Sequence, residues 1–314
     1  MGSETKLEIP AIDFTKENLK PGTDSWVLAC KQIRHGLEEY GCFEVVYDKV
    51  PIELHNSIFD AASDLFDLPG KTKLQNLPTY GASGYIAPSA TVPLYESLGI
   101  NNPTILEGLQ SFTNIMWPEE GNDCFREKVH SFSTLVDELY GVATRMIFDS
   151  YGVERLHESH IGSTSNRLRF FKYRLRGINE SNVGLITHTD KTFISIINQD
   201  QVRGLEIKTK DDQYIEAKAP PSSFLFLAGD ALMAWSNDRV RACEHRVIIK
   251  ENKVRYSVGL FSFVKGMIQV PEELVDDRYP LRYKPIDHFE YLNRYFSEPA
   301  LRESACPIKL YAGV

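Results

Sequence analysis

An α+β fold, with a core of the β-sandwich or jelly-roll kind wrapped by helices mainly from the N-terminal half, is predicted by three observations. Apolar residues recur at helical spacing through most of the first half of the chain. From residue 166 the pattern changes to short apolar runs with turn signals roughly every ten residues. Helical spacing then returns near the C-terminus. The 314 residues leave room for one large domain or two. The organisation expected is a helix-rich region over residues 1–160, a β core over 161–283 and a helical tail over 284–314, forming one compact unit.

The elements follow in chain order. KLEIPAIDF reads as a short opening strand. In DSWVLACKQIRHGLEEYG the positions Trp26, Val27, Cys30, Ile33 and Leu37 share a helical face, and Gly41 is a stop signal. CFEVVY, residues 42 to 47, is a strand. A second helix is expected from about Pro51, a residue suited to a first turn, to Leu68, where Pro69-Gly70 ends it. Residues 75–121 carry Gly, Pro, Ser and aromatics without periodicity and are expected to form a loop. A longer helix then aligns Phe125, Val129, Phe132, Leu135, Val136, Leu139, Val142, Met146 and Tyr151 as a core stripe. The strands expected after it are RLRFFKYRL, FISIINQD, GLEIKTK, QYIEAKA, SFLFLAGD, CEHRVIIK and RYSVGLFSFV, and from about Pro285 the tail IDHFEYLNRYFSEPALRES is helical.

Composition narrows the function classes. Hydrophobic residues make up 42% and charged residues 25%, ordinary values for a globular protein. The net charge of −8 and the pI near 5.6 argue against a nucleic-acid partner, and the basic residues of RLRFFKYRLRG are interleaved with apolar ones as in a strand. Cys30, Cys42, Cys124, Cys243 and Cys306 form no CxxC pair, which suits a reducing compartment. MGSETKLEIP has no apolar leader core, the sequon at Asn179 is expected to stay unmodified, and no stretch is long and apolar enough to span a membrane. The expectation is a soluble cytoplasmic protein, a monomer acting on a small organic molecule.

Two segments carry chemistry. THTD puts His188 and Asp190 two apart, so on an extended segment both side chains leave one face. His245, in CEHR, lies 55 residues after Asp190 on a strand that a folded-over sheet can bring back. By itself an HxD pair is common. Ten residues beyond His245, however, Arg255 and Ser257 share a strand face, and a guanidinium with a hydroxyl beside it is the best fork for a carboxylate. Two imidazoles and one carboxylate leave three positions open on an iron ion. An acidic cosubstrate can chelate two of them and set its far carboxylate on Arg255.

This HxD…H set, with RxS ten residues after the last ligand, resembles the plant 2-oxoglutarate- and Fe(II)-dependent dioxygenases. EIPAIDF and EYGCFEVVYDKV are similar to the opening of that family, and GDALMAWSNDRVRACEHRV to its approach to the distal histidine, so nearly the whole chain is covered. EYGCFEVVYDKVP, MAWSNDR and LRFFKY most resemble the subgroup of alkenyl-glucosinolate-forming enzymes, deoxypodophyllotoxin synthase and steroidal glycoalkaloid hydroxylases. The resemblance implies a double-stranded β-helix core. It also implies Fe(II) held by His188, Asp190 and His245, with the far carboxylate of 2-oxoglutarate held by Arg255 and Ser257 and the carboxylate beside the iron held by the hydroxyl of Tyr173. O2 is the oxidant and ascorbate a supporting reductant. The sequence departs from many relatives in two places: Phe171 stands where an Asn is usual, and VYDKV replaces INHGV.

Alternation extends the reading to the substrate pocket. With Arg255 and Ser257 inward, Gly259, Phe261 and Phe263 follow, and Arg169, Phe171 and Tyr173 share a face on the neighbouring segment. Phe193, Trp235 and Tyr85 complete the expected pocket, whose aromatic character suits a ring-bearing or long-chain substrate. The expected reaction is oxidation of a C–H bond of a specialised plant metabolite, most simply hydroxylation, with release of succinate and CO2. Desaturation or oxidative ring closure on the same residues is the alternative. A zinc hydrolase would leave Arg255, Ser257 and Tyr173 without a task, and a non-catalytic binding module would not need an intact open ligand set.

Overall fold

A computed structural model describes residues 8–314 apart from positions 17, 82 and 219. The helices are α1 (Asp24–Glu39), α2 (Ile52–Asp67), α3 (Gly70–Lys73), α4 (Leu106–Met116), α5 (Asp123–Ser150), α6 (His157–Ser163), α7 (Asp230–Trp235), α8 (His288–Ser297), α9 (Pro299–Glu303) and α10 (Pro307–Ala312). The strands are β1 (Ala11–Asp13), β2 (Cys42–Val46), β3 (Tyr95–Asn101), β4 (Thr164–Tyr173), β5 (Val183–His188), β6 (Ile194–Gln199), β7 (Leu205–Lys208), β8 (Tyr214–Glu216), β9 (Ser223–Ala228), β10 (His245–Ile248), β11 (Arg255–Val264), β12 (Met267–Ile268) and β13 (Ile286–Asp287). Lys6 and Leu7 of the expected opening strand lie outside the described residues.

Local chemistry accounts for the long helices. The hydroxyl of Thr23 accepts from the Trp26 N–H at the start of α1, and the Asn122 side chain accepts from the Phe125 N–H at the start of α5. The stripe on α5 packs inward through Phe125, Val129, Phe132, Val136, Leu139 and Met146. Val27 and Val142, expected in the stripes, are exposed at the margins of their helices. Residues 75–121 are not one loop: they contain β3 and α4. Their periodicity is hidden because the inward positions of β3 are Tyr95, Ser97 and Gly99, and Gly99 must be bare, a Cβ there falling 2.2 Å from the Ser83 carbonyl.

Two sheets make the core. The larger runs β1-β2-β9-β6-β11-β4-β3, the smaller β5-β10-β7-β8. On the outer face of the large sheet Phe43, Val45, Leu168, Phe170, Phe224, Phe226, Val258 and Leu260 are buried with the apolar stripes of α1, α2 and α5. The inner face turns toward the small sheet and is less completely filled. Between the two sheets lies a cavity of about 360 Å³. This is the jelly-roll solution: two sheets share one core, and one end stays open as a pocket.

Candidate metal centre and cosubstrate pocket

Strands β5 and β10 run antiparallel with His188 opposite His245, so the two imidazoles leave neighbouring strands side by side, their ring centroids 4.3 Å apart. Asp190 follows β5 in a segment held from below by α7: the Asp230 N–H donates to the Asp190 carbonyl (2.8 Å) and the Ala231 N–H to that of Thr192 (3.2 Å). Gly229 makes this docking close, since a Cβ there would sit 2.0 Å from the Thr192 carbonyl oxygen. Lys191 pairs with Asp230 (2.8 Å), whose carboxylate also accepts from the Tyr291 hydroxyl (2.8 Å), tying the segment to α8.

The outcome is a three-residue cluster. One donor atom from each of His188, Asp190 and His245 lies within 4.8 Å of the others. His188 Nε2 is 3.6 Å and His245 Nε2 4.0 Å from Asp190 Oδ1. Each imidazole has its Nδ1 beside a carbonyl, that of Ile186 (2.8 Å) or Cys243 (3.0 Å). A carbonyl can only accept, so Nδ1 carries a proton and Nε2 is the atom turned toward the cluster. Asp190 Oδ2 accepts from Ser195 Oγ (2.6 Å), which leaves Oδ1 facing the histidines. Burial opposes ionisation of Asp190, but the charges of His245 and His188 and the Ser195 hydroxyl outweigh it and hold the carboxyl below its usual range. Burial and the neighbouring His245 push His188 down to about 4. For His245, burial is outweighed by Asp190 and by Cys243, and the ring rises to about 9. Two imidazole Nε2 atoms and a carboxylate, aimed at one point with their other atoms tied, fit an Fe(II) ion with three positions left open, the ion taking the place of the second proton of His245.

Arg255 is wholly buried at the base of the same cavity. It donates through Nη2 to Gln199 Oε1 (2.7 Å) and through Nη1 to Ser257 Oγ (3.1 Å), while Nε is buried without a partner. Its guanidinium carbon lies 5.0 Å from the centre of the Tyr173 ring, and Tyr173 faces Arg255 across the sheet. Burial lowers the Arg255 pKa and raises that of Tyr173.

The remaining expected pocket residues divide. Arg169, Phe171, Phe261 and Phe263 all line the cavity, as period-two alternation along β4 and β11 requires. Phe171 and Phe261 face each other with centroids 5.9 Å apart. Gly259 between them has no room for a side chain, because a Cβ would come 2.7 Å from the Phe261 ring. Arg169 is turned to the Ser97 hydroxyl and, at 3.0 Å, to the Gly84 carbonyl.

Phe193, Trp235 and Tyr85 lie elsewhere. Phe193 precedes β6, where alternation does not yet govern, and packs behind the sheet on His160 (4.4 Å) and Trp235 (5.8 Å). Trp235 packs on Phe148, with ring centroids 4.6 Å apart. Tyr85 is next to Ile86, which faces the cavity, so Tyr85 turns away and donates to Glu96 (2.8 Å). Sequence reasoning missed Arg167, Gln199, Tyr80 and the α8 residues Leu292, Tyr295 and Phe296, apart from Gln199 all in the cavity wall. Alternation from Arg169 would have found Arg167. Nothing local marks α8 as a wall.

Comparison with known proteins accounts for this arrangement. Residues 164–264 match the 2OG-Fe(II) oxygenase superfamily, and residues 9–103 match the N-terminal region of non-haem dioxygenases described from morphine synthesis. A probable 2-oxoglutarate-dependent dioxygenase of Arabidopsis thaliana is 41% identical over 93% of this chain and 98% of its own length. A further 2-oxoglutarate-dependent dioxygenase of the same plant is 30% identical over 98% of both. Among solved structures, the Arabidopsis dioxygenase for auxin oxidation in its 2-oxoglutarate complex superimposes with a TM-score of 0.78, at 27% identity over 87% of this chain and all of that one. The rice dioxygenase for auxin oxidation gives 0.81, at 25% identity over 98% of this chain and all of that one. Shared ancestry along the whole chain and a donor set suited to Fe(II) agree, and the chain belongs to the plant 2-oxoglutarate- and Fe(II)-dependent dioxygenases, oxidoreductases with a jelly-roll core.

Proposed function

We propose that His188, Asp190 and His245 hold the iron, that Arg255 and Ser257 hold the far carboxylate of 2-oxoglutarate, with Tyr173, packed on Arg255, at that carboxylate rather than at the one beside the iron, and that the enzyme hydroxylates a C–H bond of a small plant metabolite. The observation that carries this reading is one cavity with a three-ligand cluster in its wall and a buried, incompletely satisfied guanidinium at its base. When bound, Fe(II) with 2-oxoglutarate and O2 supplies an oxidant strong enough to take hydrogen from carbon, leaving succinate and CO2. The chain's own residues do the rest. Carbonyls of Ile186 and Cys243 accept from Nδ1 of each ring and so aim both Nε2 atoms at the cluster. Gln199 and Ser257 fix the Arg255 fork for a carboxylate. Phe171, Phe261 and Phe263 present an apolar wall, which excludes water from the reacting centre and positions the substrate.

The net charge is negative, and among the described residues no helix is long and apolar enough to cross a membrane. A cytoplasmic location rests on the scattered, unpaired cysteines. The test is incubation of purified protein with Fe(II), ascorbate, 2-oxoglutarate and plant extract, followed by mass spectrometry. A product heavier by one oxygen supports hydroxylation, whereas one lighter by two hydrogens moves the assignment to desaturation or ring closure. No iron binding and no succinate in any condition would end the oxygenase reading.

A further inference from the structure

Arg167 is the unexplained group of this cavity. It is 5% exposed, projects from β4 beside Arg169, and belongs to no part of the iron or 2-oxoglutarate machinery. Its Nε donates to Asn101 Oδ1 (3.0 Å), and the guanidinium lies between two rings, 4.4 Å from the centre of Tyr80 and 4.8 Å from that of Phe263. Its Nη2 is buried with no hydrogen-bond partner among the described residues. Burial lowers its pKa to about 10, partly offset by the Tyr80 hydroxyl, so the group remains charged at neutral pH with a neutral phenol rather than an anion beside it. A buried cation with an unused donor is costly, and such a group is ordinarily met by an anion.

Among the described residues the cavity wall offers no such anion. Its one carboxylate among them, Asp190, belongs to the metal cluster, and Lys191 is matched by Asp230. Asp190 and the two carboxylates of 2-oxoglutarate balance Fe(II) and Arg255 between them, so the cosubstrate brings nothing for Arg167. Position points the same way. Tyr173, facing Arg255, and Arg167, facing Phe261, are six residues apart on β4, roughly 20 Å along the strand. Ser195, which holds the Asp190 carboxylate, is level with Phe261 and therefore with Arg167, two strands or roughly 10 Å away. Arg255 thus occupies the end of the cavity behind the metal cluster, and Arg167 faces the space beside it, under Tyr80, Leu292 and Phe296.

We infer that the organic substrate is an acid, and that its carboxylate docks on Arg167 between Tyr80 and Phe263 while its apolar body lies along Phe261 and Phe171. This rests on the oxygenase reading above and names the substrate class of that site. Arg167 is a binding and orienting residue: with the acid end fixed, a C–H bond at a set distance from it faces the metal.

The test uses Fe(II)-loaded protein with 2-oxoglutarate and a panel of aryl- and alkyl-carboxylic acids, each paired with its methyl ester. Binding is read by calorimetric titration without O2, and turnover by stimulated succinate release. Acids should bind and stimulate, with esters weaker by about ten- to a hundredfold, the range for losing one charge-assisted bond. Arg167→Gln and Arg167→Met should erase the difference and Arg167→Lys keep part of it, with iron content, 2-oxoglutarate affinity and melting temperature close to wild type. Equal binding of acid and ester by wild type, binding of no acid, or an acid preference that survives Arg167→Met would each overturn the inference. The ester comparison on wild type needs no variant and so does not depend on folding. Should iron and 2-oxoglutarate fail to bind, the oxygenase reading fails separately, because acid binding to Arg167 is read without turnover.

Discussion

A lysine at position 255 would keep the charge and lose the fork. Arg255 already spends one donor on Gln199 and one on Ser257, and its planarity lets the remaining edge meet a carboxylate in a fixed direction. Arg255→Lys should weaken 2-oxoglutarate by about one to two orders of magnitude, from roughly 1.5 to 3 kcal/mol of charge-assisted bonding. A titration with unchanged affinity would put the cosubstrate anchor elsewhere. At Phe261 the cost falls on the other ligand. Phe261→Ala removes the ring facing Phe171, so the organic substrate should bind less well while 2-oxoglutarate is spared, and more succinate should form per oxidised product. A succinate-to-product ratio equal to wild type, with substrate affinity unchanged, would make Phe261 a packing residue only. Both residues were legible in the sequence, because on a strand one inward residue fixes every second one after it. Gln199 was not: only the register that sets it opposite Ser257 brings its amide to Arg255.

At the scale of elements, the junction of β9 and α7 decides where Asp190 sits. Gly229 has the Thr192 carbonyl against it, and the N–H groups of Asp230 and Ala231 hold the segment that carries Asp190. Gly229→Ala must displace backbone rather than a flexible side chain. It should cost about 1 to 3 kcal/mol of stability, as overpacking does, and should shift Asp190 enough to lower iron retained after dialysis. Wild-type melting temperature and iron content in this variant would show that the junction yields without consequence. The sequence showed the strand around His245 and an extended THTD segment. It did not show α7, a six-residue helix too short for periodicity to register. Nor did it show β3, whose inward face alternates aromatic, hydroxyl and bare glycine.

For the whole molecule, two buried histidines make stability depend on pH. His160, bonded to the Tyr140 hydroxyl, is pushed down to about 3 by burial, and His288, between the Val264 N–H and the Lys191 carbonyl, is pushed down to about 4. In the unfolded chain both take up protons near pH 6.5, so below that pH the unfolded state binds more protons than the folded one. The stability they confer is whole above pH 6.5 and is lost as pH falls toward their folded values, about 2 kcal/mol for each histidine by pH 5. Denaturant midpoints should therefore drop between pH 6.5 and 5, before most carboxylates titrate, and drop less in His160→Gln. A flat profile in that interval would remove both residues from the account. What the sequence by itself determined is which residue types reach the cavity: the HxD pair with its later histidine, the RxS pair and the side of each strand that faces inward, since all of these follow from residue identity and a period of two. What only the tertiary structure decided is who shares the cavity. Phe193 and Trp235 were aromatic and near the motifs, yet they pack behind the sheet, while Arg167, Tyr80 and the α8 residues came from distant segments to close the wall. The reason is physical: alternation acts along one strand, whereas the far wall of a jelly roll is built by the approach of a second sheet and a terminal helix, contacts that no local pattern encodes.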